Sequence, residues 1–358
     1  MSEAGLVDRP EVDLAARTQT FSAVLRQARP AAAILDVEKL TEGGNNRTYR
    51  LRTTAGAYLA KEYFTHAGDP RDRLGTELGF SRYADSVARG MVPAPVASSE
   101  AERIAIYEFV EGRPFIPGEV GASQVDAAAR FFVALNSQRS RADALALPLA
   151  SEAAFSVDGH LALIEERLVR LAAVGAADEH DRAAAMLIAD LQALWRLLAP
   201  AAREQARRLG LAGGADLAAA QRCLSPSDFG FHNALQVADG SIVFLDFEYA
   251  GWDDPARMVA DFFAQIAVPV PFLHLDRFLA ACLAPFPGAD DLSRRARLLQ
   301  PVYQVKWCCI ALAIFLPTSL ARRLFADSTA EIGRLKQAQL GKAQKILNFL
   351  KADPYGLY

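Results

Sequence analysis

Three oxygen-bearing side chains, Asp228, Asn233 and Asp246, fall within one stretch, Ser225 to Asp261. Asp228 sits in a loop, Asn233 follows five residues later, and Asp246 ends an apolar run. Those residue types in that order suit phosphoryl transfer. One carboxylate orients or deprotonates an attacking hydroxyl, while an amide oxygen and a second carboxylate hold the metal that spans the nucleotide phosphates. Hard oxygen donors of this kind are what Mg²⁺ prefers.

A hairpin has to position them. Asn233 to Val237 and Ser241 to Asp246 are apolar runs, and Asp239-Gly240 lies between them. Asp-Gly between such runs is a strong hairpin signal, because both central residues of the tight turn need positive φ. A two-residue turn predicts a register in which Val237 faces Ile242, Leu235 faces Phe244 and Asn233 faces Asp246. Directly opposed residues have Cβ atoms about 4.5–5.5 Å apart, so this register would set the amide across from the second carboxylate. Asp228-Phe229-Gly230 also spells the metal-binding tripeptide of protein kinases. That role would require an upstream Asp with an Asn five residues later, but Asp216 has Gln221 there. Asp228 as base and Asp246 as metal ligand is the better assignment.

The stretch resembles the catalytic segment of the aminoglycoside phosphotransferase and choline kinase family, small-molecule kinases with a protein-kinase-like fold. That family's loop reads His-Gly-Asp-x-x-x-x-Asn, followed by a strand ending Ile-Asp-x-Glu, then Gly-Asp-Pro and an Asp-Leu helix. Here the matching positions are Pro226, Ser227, Asp228 and Asn233, then Leu245 to Glu248, then Asp253-Asp254-Pro255 and Asp261-Phe262. Two departures stand out. Pro226 replaces a His that braces the loop. Gly230 stands where a second His is frequent, and His232 is the available substitute. The resemblance implies an α+β, two-lobed fold: a small antiparallel sheet lobe and a larger, mainly helical one. It also implies ATP and Mg²⁺ as cofactors.

Upstream, the alternation of Arg47 to Thr53 and the run from Ala57 to Tyr63 predict strands of a small sheet. The turn Gly43-Gly44-Asn45-Asn46 before them lets backbone approach phosphate closely and offers N–H donors. Gly43, Gly44 and Asn46 match the family's glycine turn. Lys61 interrupts an apolar strand, where a buried ammonium is costly without a counter-charge. By the resemblance Lys61 neutralises the α- and β-phosphates, and Glu77, on the helix expected from Arg71 to Ala88, orients it. Glu62, Asp72 and Asp85 compete for that role. The strand Arg103 to Val110 runs into a Gly-Arg-Pro turn and resembles the hinge, where backbone groups of Glu108 and Val110 would read adenine.

The remainder reads as helices. Among them are Asp181 to Ala199, which Pro200 is expected to interrupt or restart, and Ala256 to Ala267, capped by Asp254 with Pro255 at its first position. Asp261, on an apolar face of that helix, reads as a brace for the catalytic loop. Glu248, two past Asp246, reads as a residue lining the site or touching the acceptor. Lys306 and Trp307 read as packing, with a place facing an acceptor pocket as the alternative. The expected organisation is an N-terminal helical extension (1–30), a nucleotide-binding lobe ending in the hinge (31–112) and a catalytic, acceptor-binding lobe (113–358).

A net charge of −3 gives no general electrostatic reason to bind nucleic acid or anionic membrane. Four cysteines without metal spacing suit a reducing compartment. The charged N-terminus lacks a signal core, and the longest apolar run, Trp307 to Leu316, is about half a bilayer span. The expectation is a cytoplasmic, ATP-dependent kinase of a small-molecule hydroxyl. The acceptor, the preference for ATP over GTP and the oligomeric state are left open. The alternative is a catalytically impaired relative that binds nucleotide or a partner.

Overall fold

The computed structural model describes residues 14–40, 45–66, 69, 71–211 and 213–352. The chain divides into two compact units. The first comprises the described residues of Met1–Asp69 with Pro95–Phe109 and Ala321–Ala330. The second comprises those of Pro70–Ala94, Val110–Leu320 and Glu331–Tyr358.

In the first unit, helix α1 (Leu14–Arg26) precedes strands β1 (Ile34–Leu40), β2 (Arg47–Thr53), β3 (Gly56–Glu62), β4 (Pro95–Ser99) and β5 (Ile104–Glu108). They form one antiparallel sheet in the order β1-β2-β3-β5-β4. The inward residues Tyr49, Leu51, Tyr58 and Ala60 pack against Phe21, Val24 and Leu25 of α1, so the N-terminal helix closes one sheet face. The Phe21 and Tyr49 rings are 5.0 Å apart. Residues Ala321–Ala330 attach through Phe325, whose ring lies 4.2 Å under the Arg47 guanidinium and 5.4 Å from Phe64.

The second unit begins with α2 (Arg73–Val87), which carries Glu77. The short strand β6 (Arg113–Pro114) follows, then helices α3 (Ala122–Ser137), α4 (Ala142–Leu145), α5 (Val157–Leu171) and α6 (Glu179–Arg208). Next come the short strands β7 (Cys223–Ser225), β8 (Ala234–Gln236), β9 (Ile242–Phe244) and β10 (Gly251–Asp253). Helices α7 (Pro255–Ala264), α8 (Leu275–Leu283), α9 (Ala289–Leu312), α10 (Pro317–Ala326) and α11 (Ile332–Ala352) complete the order. Strand β6 joins the hairpin β8-β9, and β7 pairs antiparallel with β10.

Pro200 does not break α6, contrary to expectation. Proline removes the amide that would bond the carbonyl of Arg196. Both residues lie on the exposed side, where water can serve that carbonyl, while Trp195, Leu198 and Ala199 before it and Ala206 after it are buried. Core packing on both sides outweighs the local penalty. Helices α6 and α9 are long and apolar enough to cross a membrane by length and composition. The apolar window of α9 is 78% buried inside the molecule, as expected of a core helix.

The hairpin forms, but in another register. Gln236 pairs with Ile242, Leu235 with Val243 and Ala234 with Phe244. The Val237 amide bonds the Ser241 carbonyl at 2.9 Å, and the Gly240 amide bonds the Val237 carbonyl at 2.9 Å. The loop is therefore three residues, Ala238-Asp239-Gly240. Only Gly240 takes a positive φ, at 86°, among the described residues of this turn. This is the three-residue connection in which a left-handed glycine follows an ordinary turn. The Asp239 carboxylate accepts the Ser241 amide at 2.8 Å, a local bond that favours this turn. Asn233 consequently faces Leu245, whose amide bonds the Asn233 carbonyl at 2.8 Å, and not Asp246.

Candidate active site

The loop between β7 and β8 is held by two phenylalanines. Phe229 and Phe231 are buried at 3% and 0% exposure. Phe229 lies 5.1 Å from Phe244 and 5.1 Å from Phe262, and Phe231 lies 5.1 Å from Phe115. Both rings are anchored in the core, while the Asp228 carboxylate keeps 30% of its exposure and the His232 ring 14%. Two residues of the site have a left-handed backbone, Ser227 and Asp246, each with φ of 66°. Such conformations cost roughly 1–3 kcal/mol and persist where surrounding structure enforces them.

The Asp228 carboxylate is 30% exposed and lies 3.1 Å from Nε2 of His232. The Asn233 amide nitrogen donates to the Asp228 carbonyl at 3.0 Å, closing the loop on itself. Desolvation works against ionisation of Asp228. The His232 charge and hydrogen bond, Lys306 and Asn233 outweigh it and hold the carboxyl below its ordinary range. A carboxylate kept ionised and partly open can accept a hydroxyl proton.

With its amide nitrogen committed to a carbonyl, Asn233 has its Oδ1 to offer as a ligand. Asp246 is half-buried and follows directly on Leu245, the residue bonded to Asn233. Two hard oxygen donors on neighbouring hairpin positions fit Mg²⁺ in ligand type. Asp246 follows the residue whose amide bonds the Asn233 carbonyl and does not directly oppose Asn233.

Behind the loop lies a buried network centred on Arg257, which is 2% exposed. Arg257 donates to the Ser227 hydroxyl at 3.2 Å, the carbonyls of Ser151 and Glu152 at 2.9 Å each, and Asp253 Oδ1 at 3.2 Å. Its Nε lies 3.5 Å from Asp261. Asp261 also accepts from Lys306 at 2.6 Å and from the Trp307 indole at 3.0 Å. Asp261 thus braces the loop as expected, and Lys306 and Trp307 are committed to it. The loop that Pro226 leaves without an imidazole is held instead by Arg257 and by the Ser225 hydroxyl, which accepts the Ser227 amide at 3.0 Å.

Asp254 caps α7 by accepting the Ala256 amide at 2.7 Å. Its other oxygen receives Arg295 at 2.6 Å and His160 at 3.0 Å. Burial lowers the His160 pKa, and burial keeps the Tyr303 hydroxyl protonated. Tyr303 therefore donates to His160 Nδ1 at 2.7 Å, and Nε2–H donates to Asp254.

Glu152 has a left-handed backbone, φ 59°, and accepts from Arg167. Desolvation pushes its carboxyl up, but Arg167 and Lys306 bring it down to about 2. A depressed carboxyl stabilises the fold above its unfolded value of 4.5, and that contribution is lost as pH falls toward 2. Glu152→Gln should lower the melting temperature at neutral pH, with the deficit narrowing below about pH 4. Thermal melts across that range check it.

Glu248 does not line an open site. It is buried at 2% and accepts from Arg73, itself fully buried, at 2.8 Å. Tyr249 shares the same guanidinium. Glu77, 4% exposed, accepts the Phe247 amide at 3.4 Å. One face of α2 is therefore tied to the residues that follow Asp246. The sequence reading missed Arg73, His160, Arg257 and Arg295. Arg257 alone had a local signal, since it stands four residues from both Asp253 and Asp261 on one helix face.

In the first unit Lys61 is 5% exposed, with its ammonium 5.2 Å from the Tyr63 ring centroid. Glu62 is engaged by Arg17 at 2.8 Å. The Asn46 carboxamide oxygen accepts the Phe64 amide at 3.0 Å, so this side chain braces the strand entry. Gly43 and Gly44 lie outside the described residues. Glu108 ends β5 with its side chain exposed, and Val110 begins the second unit's next segment.

The model of a family described as phosphotransferase enzymes matches residues 36–280. No curated protein matches significantly. Among solved structures, a choline kinase from Cryptosporidium parvum Iowa II aligns with a TM-score of 0.59 at 13% identity, over 94% of this chain and 97% of that one. A spectinomycin phosphotransferase in complex with ADP and spectinomycin aligns with a TM-score of 0.62 at 12% identity, over 92% and 98%. A choline/ethanolamine kinase family protein from Mesorhizobium loti gives 0.58 at 15%, over 92% and 94%. At these identities the likeness shows the fold: α+β and protein-kinase-like, with a small antiparallel sheet and a mostly helical remainder.

Proposed function

The chain belongs to the phosphotransferase enzyme family, and from that premise we propose that it transfers the γ-phosphoryl group of ATP to a hydroxyl of a small molecule. The observation that carries this is the state of Asp228: an ionised, partly exposed carboxylate on a loop closed by Asn233 and pinned in the core by Phe229 and Phe231.

In this reading Asp228 orients the acceptor hydroxyl and takes its proton as the oxygen attacks phosphorus. Asn233 and Asp246 are the residues that would hold Mg²⁺. The metal, when bound, neutralises charge on the phosphates. Lys61, with Glu77 as its orienting partner, and the turn at Gly43, Gly44 and Asn46 bind phosphate oxygens. Backbone groups of Glu108 and Val110 take the adenine. The nucleotide-binding lobe is assigned to 31–112 and the catalytic and acceptor-binding lobe to 113–358, in a cytoplasmic protein that binds neither nucleic acid nor membrane.

The test is turnover of MgATP with sugars, amino alcohols and aminoglycosides, with the product mass read by mass spectrometry. A mass gain of one phosphoryl group on an acceptor is the expected result. Thermal stabilisation by MgATP without turnover on any acceptor would favour a nucleotide-binding relative that has lost catalysis. Pro226 and Gly230 are the features behind that second reading.

A further inference from the structure

We propose that His232 is the positioning residue of Asp228, and that Gly230 is kept without a side chain to make room for its imidazole. The inference rests on the phosphotransferase reading above and adds a part to the same site.

The geometry is mutual. Nε2 of His232 lies 3.1 Å from Asp228 Oδ1, and the ring is 14% exposed. It meets the Trp307 ring edge-on, 5.9 Å away at 87°. The Trp307 indole is fixed to Asp261, so the imidazole is held from the α9 side. On its other side lies Gly230. A Cβ there would come within 2.8 Å of His232 Nδ1 and 2.9 Å of Cε1, closer than real contacts allow. The Gly230 backbone is extended, φ 166° and ψ 175°, a conformation open to any residue. The closest obstacle to a side chain at this position is the ring, with Gln265 Cγ next at 3.3 Å.

The ring's other nitrogen fits the same role. Nδ1 is buried and has no hydrogen-bond partner among the described residues. A buried N–H without an acceptor is costly, whereas Nε2 faces a carboxylate oxygen of Asp228 that can accept its proton. That bond fixes the carboxylate's rotation and leaves Oδ2 to receive the acceptor's hydroxyl proton. A misplacement of about 1 Å at a reacting group can cost about a hundredfold in rate, so a bond that fixes this carboxylate has leverage on turnover.

The experiment is a double-mutant cycle in the full chain: His232→Ala, Gly230→Ala and both together. Each is assayed with MgATP and the acceptor that the wild type phosphorylates, or water where none is found. His232→Ala should lower kcat about 10- to 100-fold, with KM for ATP within about twofold. His232→Gln, whose amide can donate to Asp228, should recover part of the loss. Gly230→Ala should be comparably slow in the wild-type background and nearly neutral beside His232→Ala, because the clashing ring is then gone. A wild-type kcat in His232→Ala, or an equal cost of Gly230→Ala in both backgrounds, overturns the inference alone. Should His232→Ala fail to fold, His232→Gln against Gly230→Ala decides: unimpaired kcat in a folded Gly230→Ala overturns it. A wild type without any phosphoryl transfer, to acceptors or water, removes the phosphotransferase reading and this inference with it.

Discussion

Asp228→Ala should lower kcat by about 10² to 10⁴, the usual worth of a positioned general base, while ATP affinity changes little. The loop does not depend on that carboxylate for its shape. Phe229 and Phe231 hold it from the core side. Asn233 bonds the main-chain carbonyl of residue 228, which alanine retains. Arg257 and Ser225 secure the loop at Ser227. The removed group is 30% exposed, so its loss leaves a wet surface and no void, and the melting temperature should stay near that of the wild type. The diagnostic pattern combines collapsed turnover, unchanged nucleotide binding by fluorescence titration and an unchanged melt. Undiminished turnover would remove the base assignment. A large fall in melting temperature would instead mean that the carboxylate supports the loop.

Much of this site is legible in the sequence because its parts are local. Asp228 and Asn233 are joined by a bond across five residues, and the cap of α7 by Asp254 follows from Asp-Asp-Pro alone. The hairpin itself was equally plain. Its register was not, because Asp239-Gly240 serves two turns. One needs positive φ at both residues, the other only at Gly240, and the Asp239 bond to Ser241 favours the second. A slip of one residue exchanges the faces of a strand; here Leu245 carries the pairing with Asn233, and Asp246 follows it with a left-handed backbone. The parts that stayed hidden are joined over long separations. Arg73 meets Glu248, and His160 and Arg295 converge on Asp254. No spacing rule links residues so far apart, and surface arginines look the same in a sequence as buried ones. Glu248 shows both obstacles: alternation with Asp246 needs an extended chain, which the left-handed Asp246 interrupts, and its partner Arg73 lies on α2.

Arg257→Met should be the most destabilising change near the site, costing about 3–5 kcal/mol, the usual result of removing one partner of a buried ion pair. The methionine fills much of the space but donates nothing. Ser227 and the carbonyls of Ser151 and Glu152 each lose a donor, and Asp253 loses its counter-ion. Asp261 keeps Lys306 and Trp307, so the damage centres on Asp253. Burial already pushes the Asp253 carboxyl from 3.8 up to about 7, with Arg257 pulling the other way. A raised carboxyl pKa means the folded state holds the proton more tightly, so this group favours folding at low pH. That contribution declines as pH rises from about 4 to about 7, where Asp253 ionises within the fold. Without the guanidinium the folded carboxyl moves higher still, and the decline continues past 7. The cost of Arg257→Met should therefore be smaller near pH 5 than near pH 8, as read by urea unfolding at both. A deficit that does not vary with pH would show that Arg257 acts through the carbonyls and Ser227 alone. Either way the loss reaches catalysis, since the same side chain ties the residue before Asp228 to helix α7.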